Sequence, residues 1–211
     1  MNPVRFPVLL LTIFLISGIL FFSSDPKPEG SGVPLPVYPS QISTNGESGD
    51  LWFCVGPTEE IESVTERKII IQSFSKESSS GRVTVADDLG NDIEREILLL
   101  PGQSLEIRPG QSVPNSKWAG VTVEIPKGQV LVQQEITGEG FDSEPCMTTA
   151  ADSWYVPWSS TSRPGNKASL ILYNPFQAPA VADLHFVGDV GRRETLDSQG
   201  VVVPSRSLII F

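Results

Sequence analysis

The sequence predicts an all-β protein preceded by one N-terminal transmembrane helix, and three observations support this fold class. A long apolar run lies within residues 1–23, short apolar runs separated by turn residues follow from residue 50, and the matching segments of this second region predict an internal repeat. The 18 glycines and 18 prolines among 211 residues favour many short strands over a few long helices. A formal net charge of −10 argues against nucleic acid as a partner, because phosphate binding needs an excess of basic side chains.

The N-terminal segment predicts where the protein lies. Phe6–Phe22 contains no charged residue, and Arg5 precedes it whereas Asp25 follows it, so we expect a membrane span with its N-terminus in the cytoplasm. No small-residue cleavage pattern follows the run, so we favour an anchor at 1–23 over a signal sequence whose cleavage would give a secreted protein. The Pro-, Ser- and Gly-rich residues 24–49 are predicted to form a linker.

Residues 50–141 are predicted to fold as a first β-sandwich, because apolar runs of strand length alternate there with turn residues. The predicted strands are Lys68–Phe74, Gly81–Ala86, Ile93–Leu100, Leu105–Ile107, Gly120–Ile125 and Val130–Ile136. Val121, Val123 and Ile125 alternate with polar residues, as the residues of a half-buried strand do.

An internal repeat predicts a second β-sandwich over residues 152–211, joined to the first by a linker at 142–151. The matching segments are Trp52 with Trp154, Ile69–Ser73 with Leu170–Asn174, Val83 and Val85 with Leu184 and Phe186, and Leu98–Pro101 with Val201–Pro204. The second copy lacks counterparts of the last two predicted strands and is expected to be incomplete. Truncation is the explanation we favour, and strands supplied by a partner are the alternative.

Two cysteines in a region predicted to lie outside the cytoplasm favour a single disulfide, Cys54 with Cys146. Cys54 begins the first sandwich, and Cys146 lies in the predicted linker. Val156 occupies the position of Cys54 in the second copy, so the bridge is expected to belong to the first sandwich alone.

The sequence shows no recognisable set of catalytic, metal-binding or cofactor-binding residues. His185, the only histidine, is predicted to point outward from a strand. The acidic segment Asp87–Asp92 lacks the spacing of a calcium-binding loop and is predicted to be a hairpin turn. Trp52 and Trp154 are predicted to be equivalent core residues. Tyr155 and Trp158 are the candidates for an exposed ligand platform, on which sugar rings could stack.

Several short motifs resemble an uncharacterised actinobacterial family of secreted or single-pass membrane proteins. These motifs are Trp52–Gly56, Cys146 ahead of Ser153–Pro157, Leu172–Phe176 and the segment Val201–Ile210. The resemblance implies tandem immunoglobulin-like β-sandwiches and adds weight to the Cys54–Cys146 pairing. It implies no catalytic residue, since the family has no established activity. The chain departs from the family pattern in carrying Trp158 where glycine is usual and in ending early.

These observations lead us to expect a non-enzymatic protein, tethered to the membrane through Phe6–Phe22, that serves in envelope binding or assembly. Its expected partners are envelope proteins or glycans. One alternative is a cell-wall carbohydrate-binding module that presents Tyr155 and Trp158. A second alternative is a fragment of a larger envelope hydrolase whose catalytic residues lie outside this sequence.

Overall fold

The computed structural model describes residues 50–156, 168–188, 191–193 and 195–211. These residues form an all-β structure of several antiparallel sheets, as predicted, and all of them fall in a single compact unit. The predicted anchor at 1–23 and linker at 24–49 lie outside the described residues. Within the ranges given above, no helix has the length and apolar character that a membrane crossing requires.

Residues 50–145 form eight strands arranged in two four-stranded antiparallel sheets. These strands are β1 (Asp50–Pro57), β2 (Val64–Ser73), β3 (Ser79–Asp87), β4 (Asp92–Leu99), β5 (Ser104–Ile107), β6 (Trp118–Ile125), β7 (Val130–Gly138) and β8 (Phe141–Pro145). The first sheet has the order β1-β6-β3-β4 and the second the order β5-β2-β7-β8. A short helix, α1 (Pro109–Ser112), lies between β5 and β6. We call residues 50–147 the first lobe, and its last strand extends past residue 141 to Pro145.

The core of the first lobe lies between its two sheets. Strand β2 alternates buried and partly exposed residues, which places Ile69 and Ile71 in the interior, and Val121 and Val123 of β6 face them from the other sheet. Trp52 is 2% exposed and belongs to the same cluster, as predicted. Burial of such side chains stabilises the fold by about 1.5–3 kcal/mol for each Val, Ile or Leu. All six predicted strands of this lobe are therefore confirmed, with ends displaced by a few residues.

The acidic segment between β3 and β4 is a hairpin turn, as predicted. The buried carboxylate of Asp87 accepts hydrogen bonds from the backbone N–H groups of Leu89 and Asn91 at 3.0 and 2.7 Å. Its second oxygen accepts one from the Asn91 side chain at 2.9 Å. Gly90 has a φ of 86°, a left-handed conformation that glycine adopts without strain. The aspartate therefore stabilises the turn itself.

The described residues from 168 onward, which we call the second lobe, form three two-stranded sheets. Their strands are β9 (Ile171–Asn174), β10 (Ala180–Ala182), β11 (Phe186–Gly188), β12 (Gly191–Arg193), β13 (Val201–Val203) and β14 (Ser207–Ile210), with a 3-10 helix at Leu196–Ser198. Strand β9 pairs with β14, β10 with β13, and β11 with β12. Each pair is antiparallel.

The strand pairing of the first lobe recurs in the second lobe. The ladder that pairs Ile69 with Ile107 and Gln72 with Ser104 corresponds to the ladder that pairs Ile171 with Ile210 and Asn174 with Ser207. Likewise, Ser79 opposite Leu99 corresponds to Val181 opposite Val202. These ladders support the internal repeat. The ladders also shift the sequence alignment of β2 with β9 by one residue. The sequence alignment matched Ser73 with Asn174, whereas the strand pairing matches Gln72 with Asn174.

Two predictions for the second copy are wrong. Trp154 is 59% exposed, not a core residue, because residues 151–156 form no strand, whereas its counterpart Trp52 is buried on β1 by pairing with β6. His185 is exposed, as predicted, but it lies immediately before β11 instead of on a strand.

The second lobe packs on the outer face of the β1-β6-β3-β4 sheet. The ring of Tyr173 lies against Gly120, and its hydroxyl lies 2.8 Å from the hydroxyl of Thr122. Burial raises the pKa of Tyr173 to about 12, which reflects how closely this contact excludes water. Phe53 and Phe176 meet edge to face, with ring centroids 6.2 Å apart.

Ion pairs add to this contact at the start of β4. The guanidinium of Arg206 lies 3.2 Å from a carboxylate oxygen of Asp92 and 3.2 Å from one of Glu94. These side chains are partly exposed, so the pairs contribute little energy and mainly orient the two lobes. The aromatic contacts of Tyr173 and Phe176 bury apolar surface between the lobes, which these ion pairs do not.

The contact between the lobes predicts the effect of Gly120→Ala. A Cβ at this position would lie 2.5 Å from Cε2 of Tyr173, so we expect a loss of about 1–3 kcal/mol in unfolding free energy. Urea titration measures this loss. Gly188→Ala is the control, because its Cβ would meet no atom within 4 Å. Equal stability of the Gly120→Ala and wild-type proteins would contradict the packing described here.

Candidate functional site

A disulfide closes one side of the first lobe. Cys54 lies on β1, an edge strand of the first sheet, and Cys146 directly follows β8, an edge strand of the second sheet. The two sulfur atoms are bonded, in agreement with the predicted pairing, and the two residues are only 1% and 7% exposed. The bridge therefore joins the two sheets covalently and is shielded from solvent.

The backbone changes sheets at this bridge. The N–H of Cys146 donates to the carbonyl of Val132 on β7 at 3.0 Å, which keeps Cys146 in line with β8. One residue later, Met147 pairs with Phe53 of β1 through two backbone hydrogen bonds, at 2.7 and 3.0 Å. The chain thus leaves the second sheet at Cys146 and joins the edge of the first sheet at Met147.

A buried arginine connects the two sheets on the interior side of β2. Arg67 is fully buried, and its guanidinium donates to the carbonyl oxygens of Gly56 and Ala119 at 3.1 and 2.8 Å. It also donates to the side-chain oxygen of Gln134 at 3.0 Å. The amide nitrogen of Gln134 in turn donates to Glu144 on β8. This network runs from the interior to the last strand of the second sheet.

Burial dominates the electrostatics of this network. Desolvation lowers the pKa of Arg67 to about 10, and the carboxylates of Glu59 and Glu144 act in the opposite direction. The Nε of Arg67 has no hydrogen-bond partner among the described residues. Gly56 makes room for the guanidinium, since a Cβ there would lie 3.1 Å from Nε. Arg67 remains charged at neutral pH and holds Gln134 and Glu144 in place.

Sequence reasoning missed this network, although one signal pointed to it. Arg67 shares the interior side of β2 with Ile69 and Ile71, which follow it at period two. A charged residue at such a position needs buried partners, and these partners come from distant parts of the chain. The alternation of β2 alone could therefore have identified the buried arginine, but it could not have identified Gln134 or Glu144.

Three consecutive large side chains are exposed shortly after the bridge. Trp154 is 59% exposed, Tyr155 91% and Val156 63%. Tyr155 is accessible, as a platform residue has to be, whereas Trp158 lies outside the described residues. Exposed aromatic side chains offer large, rigid apolar surfaces to proteins and to sugar rings.

A shallow groove of about 310 Å³ lies where β7 turns into β8. Its apolar lining comes from Val64, Ile136 and Phe141, and the last of these is 68% exposed. Glu139 and Asp142 supply two carboxylates to the same groove. It lies on the first lobe at the start of β8.

The remaining candidate residues do not form a recognisable catalytic site. His185 lies close to the guanidinium of Arg192, with ring nitrogens 2.7 and 3.0 Å from Nη2, and both residues are exposed. Within the described residues, no three potential metal ligands come together. In the part of the chain that the structure describes, the accessible features include exposed surfaces and a sheet edge.

Comparison of the sequence with models of protein families gives a match to an uncharacterised family. A model described as a family of unknown function (DUF5719) matches residues 124–209, from the end of β6 to β14. This stretch is shorter than half of the chain and spans parts of both lobes. The match supports a likeness to an uncharacterised family and carries no activity.

Comparisons with individual proteins add no function. The chain is similar to a Thermotoga maritima protein whose structure is titled "Crystal Structure of Thermotoga maritima 1070". The two are 16% identical, with a TM-score of 0.40 over 48% of this chain and 96% of the other. No curated protein matches the sequence.

The bridge predicts a large stability difference between the oxidised protein and the double variant Cys54→Ala with Cys146→Ala. A cross-link that spans 92 residues restricts the unfolded chain, so we expect its removal to cost about 4–5 kcal/mol in unfolding free energy. Urea titration of the oxidised wild type, the reduced wild type and the variant measures the cost. Equal midpoints for all three proteins would contradict a stabilising bridge.

Proposed function

We propose that this chain is a non-enzymatic protein held at the outer side of a membrane by Phe6–Phe22, where its β-sandwich binds or assembles envelope components. The observation that carries this proposal is the buried disulfide between Cys54 and Cys146. Disulfides persist in oxidising compartments and are rare in the cytosol. The apolar run and the disulfide thus favour the same side of the membrane for residues 50–211.

A binding role is supported by the surface that follows the bridge. Trp154, Tyr155 and Val156 expose most of their side chains in succession. Aromatic residues are enriched at protein interfaces because they bury a large area with few rotatable bonds. The adjacent bridge fixes the start of this segment at the edge of β1, so the segment that exposes the aromatic residues leaves the first lobe at a defined place.

An immunoglobulin-like class and an actinobacterial origin form part of this proposal. Two four-stranded antiparallel sheets face each other across one core, and a disulfide joins the sheets next to the buried Trp52. Two facing antiparallel sheets joined by a disulfide are features that the first lobe shares with immunoglobulin-like sandwiches. The origin rests on the sequence resemblance alone.

Photo-crosslinking in intact cells tests the proposed binding role. A photoreactive phenylalanine in place of Tyr155 is expected to capture envelope proteins or wall polymers, because this side chain is 91% exposed. The same group in place of Glu77, an exposed residue after β2, is the matched control. Capture of cytosolic proteins, or the same products at both positions, would show that the proposal is wrong.

A cell-wall carbohydrate-binding module is the second candidate, and the exposure of Tyr155 favours it. In that case, the full chain binds purified wall glycans, and Tyr155→Ala or Trp158→Ala abolishes this binding. Phe74→Ala serves as the control, since Phe74 is an aromatic residue that is 50% exposed elsewhere on the first lobe. Equal glycan binding by all three variants would rule out the aromatic platform.

A further inference from the structure

Strand β8 ends the β5-β2-β7-β8 sheet and has an open outer edge in the described part of the chain. Its five residues, Phe141–Pro145, are all exposed and pair only with β7 there. An open strand edge presents backbone donors and acceptors that can pair with another chain. The outer edge of β8 is therefore a potential site of strand addition.

The register identifies which backbone groups of β8 are free. In an antiparallel ladder, alternate residues direct their N–H and C=O groups to the neighbouring strand. Because the N–H of Cys146 donates to Val132 and Gln134 lies opposite Glu144, the groups of Asp142 and Glu144 point toward β7. The groups of Phe141 and Ser143 then point outward, and Pro145 occupies an outward position without needing an N–H.

The side chains at the start of β8 determine which strand could be added. Val64 and Ile136 of the groove belong to β2 and β7, so Phe141 supplies the apolar surface that lies on β8 itself. Glu139 and Asp142 add two negative charges beside it. The described residues that line this groove include no lysine or arginine. A segment with a basic side chain beside an apolar one would match both features.

The same charges disfavour self-association through this edge. A second copy of β8 would place Asp142 and Glu144 close to the identical carboxylates, and two chains of net charge −10 repel each other. Acidic side chains on an edge strand reduce pairing between identical chains and leave pairing with a cationic chain favourable. Charge complementarity therefore selects a basic partner over a second copy.

We propose that the outer edge of β8 and the adjoining groove bind an extended, basic segment of a partner protein, which adds to the sheet as a further strand. Backbone hydrogen bonds to Phe141 and Ser143 supply affinity in this mode. The side chains of Phe141, Glu139 and Asp142 at the rim of the groove supply specificity. The network Arg67–Gln134–Glu144 holds the strand in position before the partner arrives. This inference rests on the proposed binding role and names its partner class.

Peptide binding to the full chain in detergent tests the inference. The probe is a fluorescent heptapeptide of alternating lysine and valine, and its control replaces each lysine by glutamate. We expect the lysine probe to bind and Ser143→Pro to weaken it by about tenfold or more, because proline removes an outward N–H that a new strand needs. Ser143→Ala keeps this N–H and is expected to bind within about twofold of the wild type.

Charge reversal supplies a second, independent variant. Glu139→Lys combined with Asp142→Lys is expected to weaken the lysine probe by about tenfold or more and to improve binding of the glutamate probe. Glu77→Lys combined with Glu96→Lys changes the net charge equally at exposed sites outside the groove and is expected to leave both affinities within about twofold. If Ser143→Pro fails to fold, these charge variants decide the matter.

Three outcomes would overturn the inference. They are the absence of binding by the lysine probe, equal binding of both probes, and equal affinity of the folded Ser143→Pro and Ser143→Ala proteins. Cross-linking from Tyr155 to envelope components would remain in each of these cases if the proposed function is right. Failure of that cross-linking with intact peptide binding would count against the proposed function instead.

Discussion

The covalent link between β1 and the end of β8 is the constraint on which the rest of the structure depends. It fixes the two sheets of the first lobe at one side and determines where the backbone crosses from one sheet to the other, between Cys146 and Met147. The same crossing leaves the outer edge of β8 open in the described residues and starts the segment that exposes Trp154 and Tyr155. The fold, the accessible surfaces and the proposed compartment are thus connected through one bond.

The strand pairing of the first lobe recurs in the second lobe, but its residues lie in a different environment there. Leu99 is fully buried opposite Ser79, whereas Val202 is 54% exposed at the corresponding position opposite Val181. Leu99 belongs to a core covered by the facing sheet, and no such sheet covers Val202 among the described residues. Instead, Tyr173 packs on the outer face of the first lobe. Equal strand pairing therefore does not produce equal burial.

Most of the first lobe could be predicted because its signals are local. Turn residues separate its apolar runs, and the alternation along β6 places Val121 and Val123 in the interior. The cysteine pairing followed from the number of cysteines and the expected compartment. Trp154 was misplaced because burial of the equivalent Trp52 requires pairing with β6, and no residue pattern near Trp154 reveals whether such a partner exists.

The candidate surfaces were only partly predictable. Exposure of Tyr155 agreed with expectation, but the groove depends on Val64 and Phe141, which are 77 residues apart in sequence (141 − 64) and meet only after β2 and β7 pair. The hydrogen bonds of Arg67 to Gly56 and Ala119 likewise span 11 and 52 residues. Interactions over such separations depend on the order of strands in the sheets, and local residue patterns do not reveal that order.

The oxidation state of the two cysteines in living cells tests the central claim most directly. Cells are treated with a thiol-reactive polymer at the moment of lysis, and the chain is examined by electrophoresis before and after reduction. We expect no adduct before reduction and two adducts after it, because Cys54 and Cys146 form a buried disulfide that the proposed oxidising compartment would preserve. Two adducts without any reductant would contradict both the bridge in cells and the compartment proposed from it.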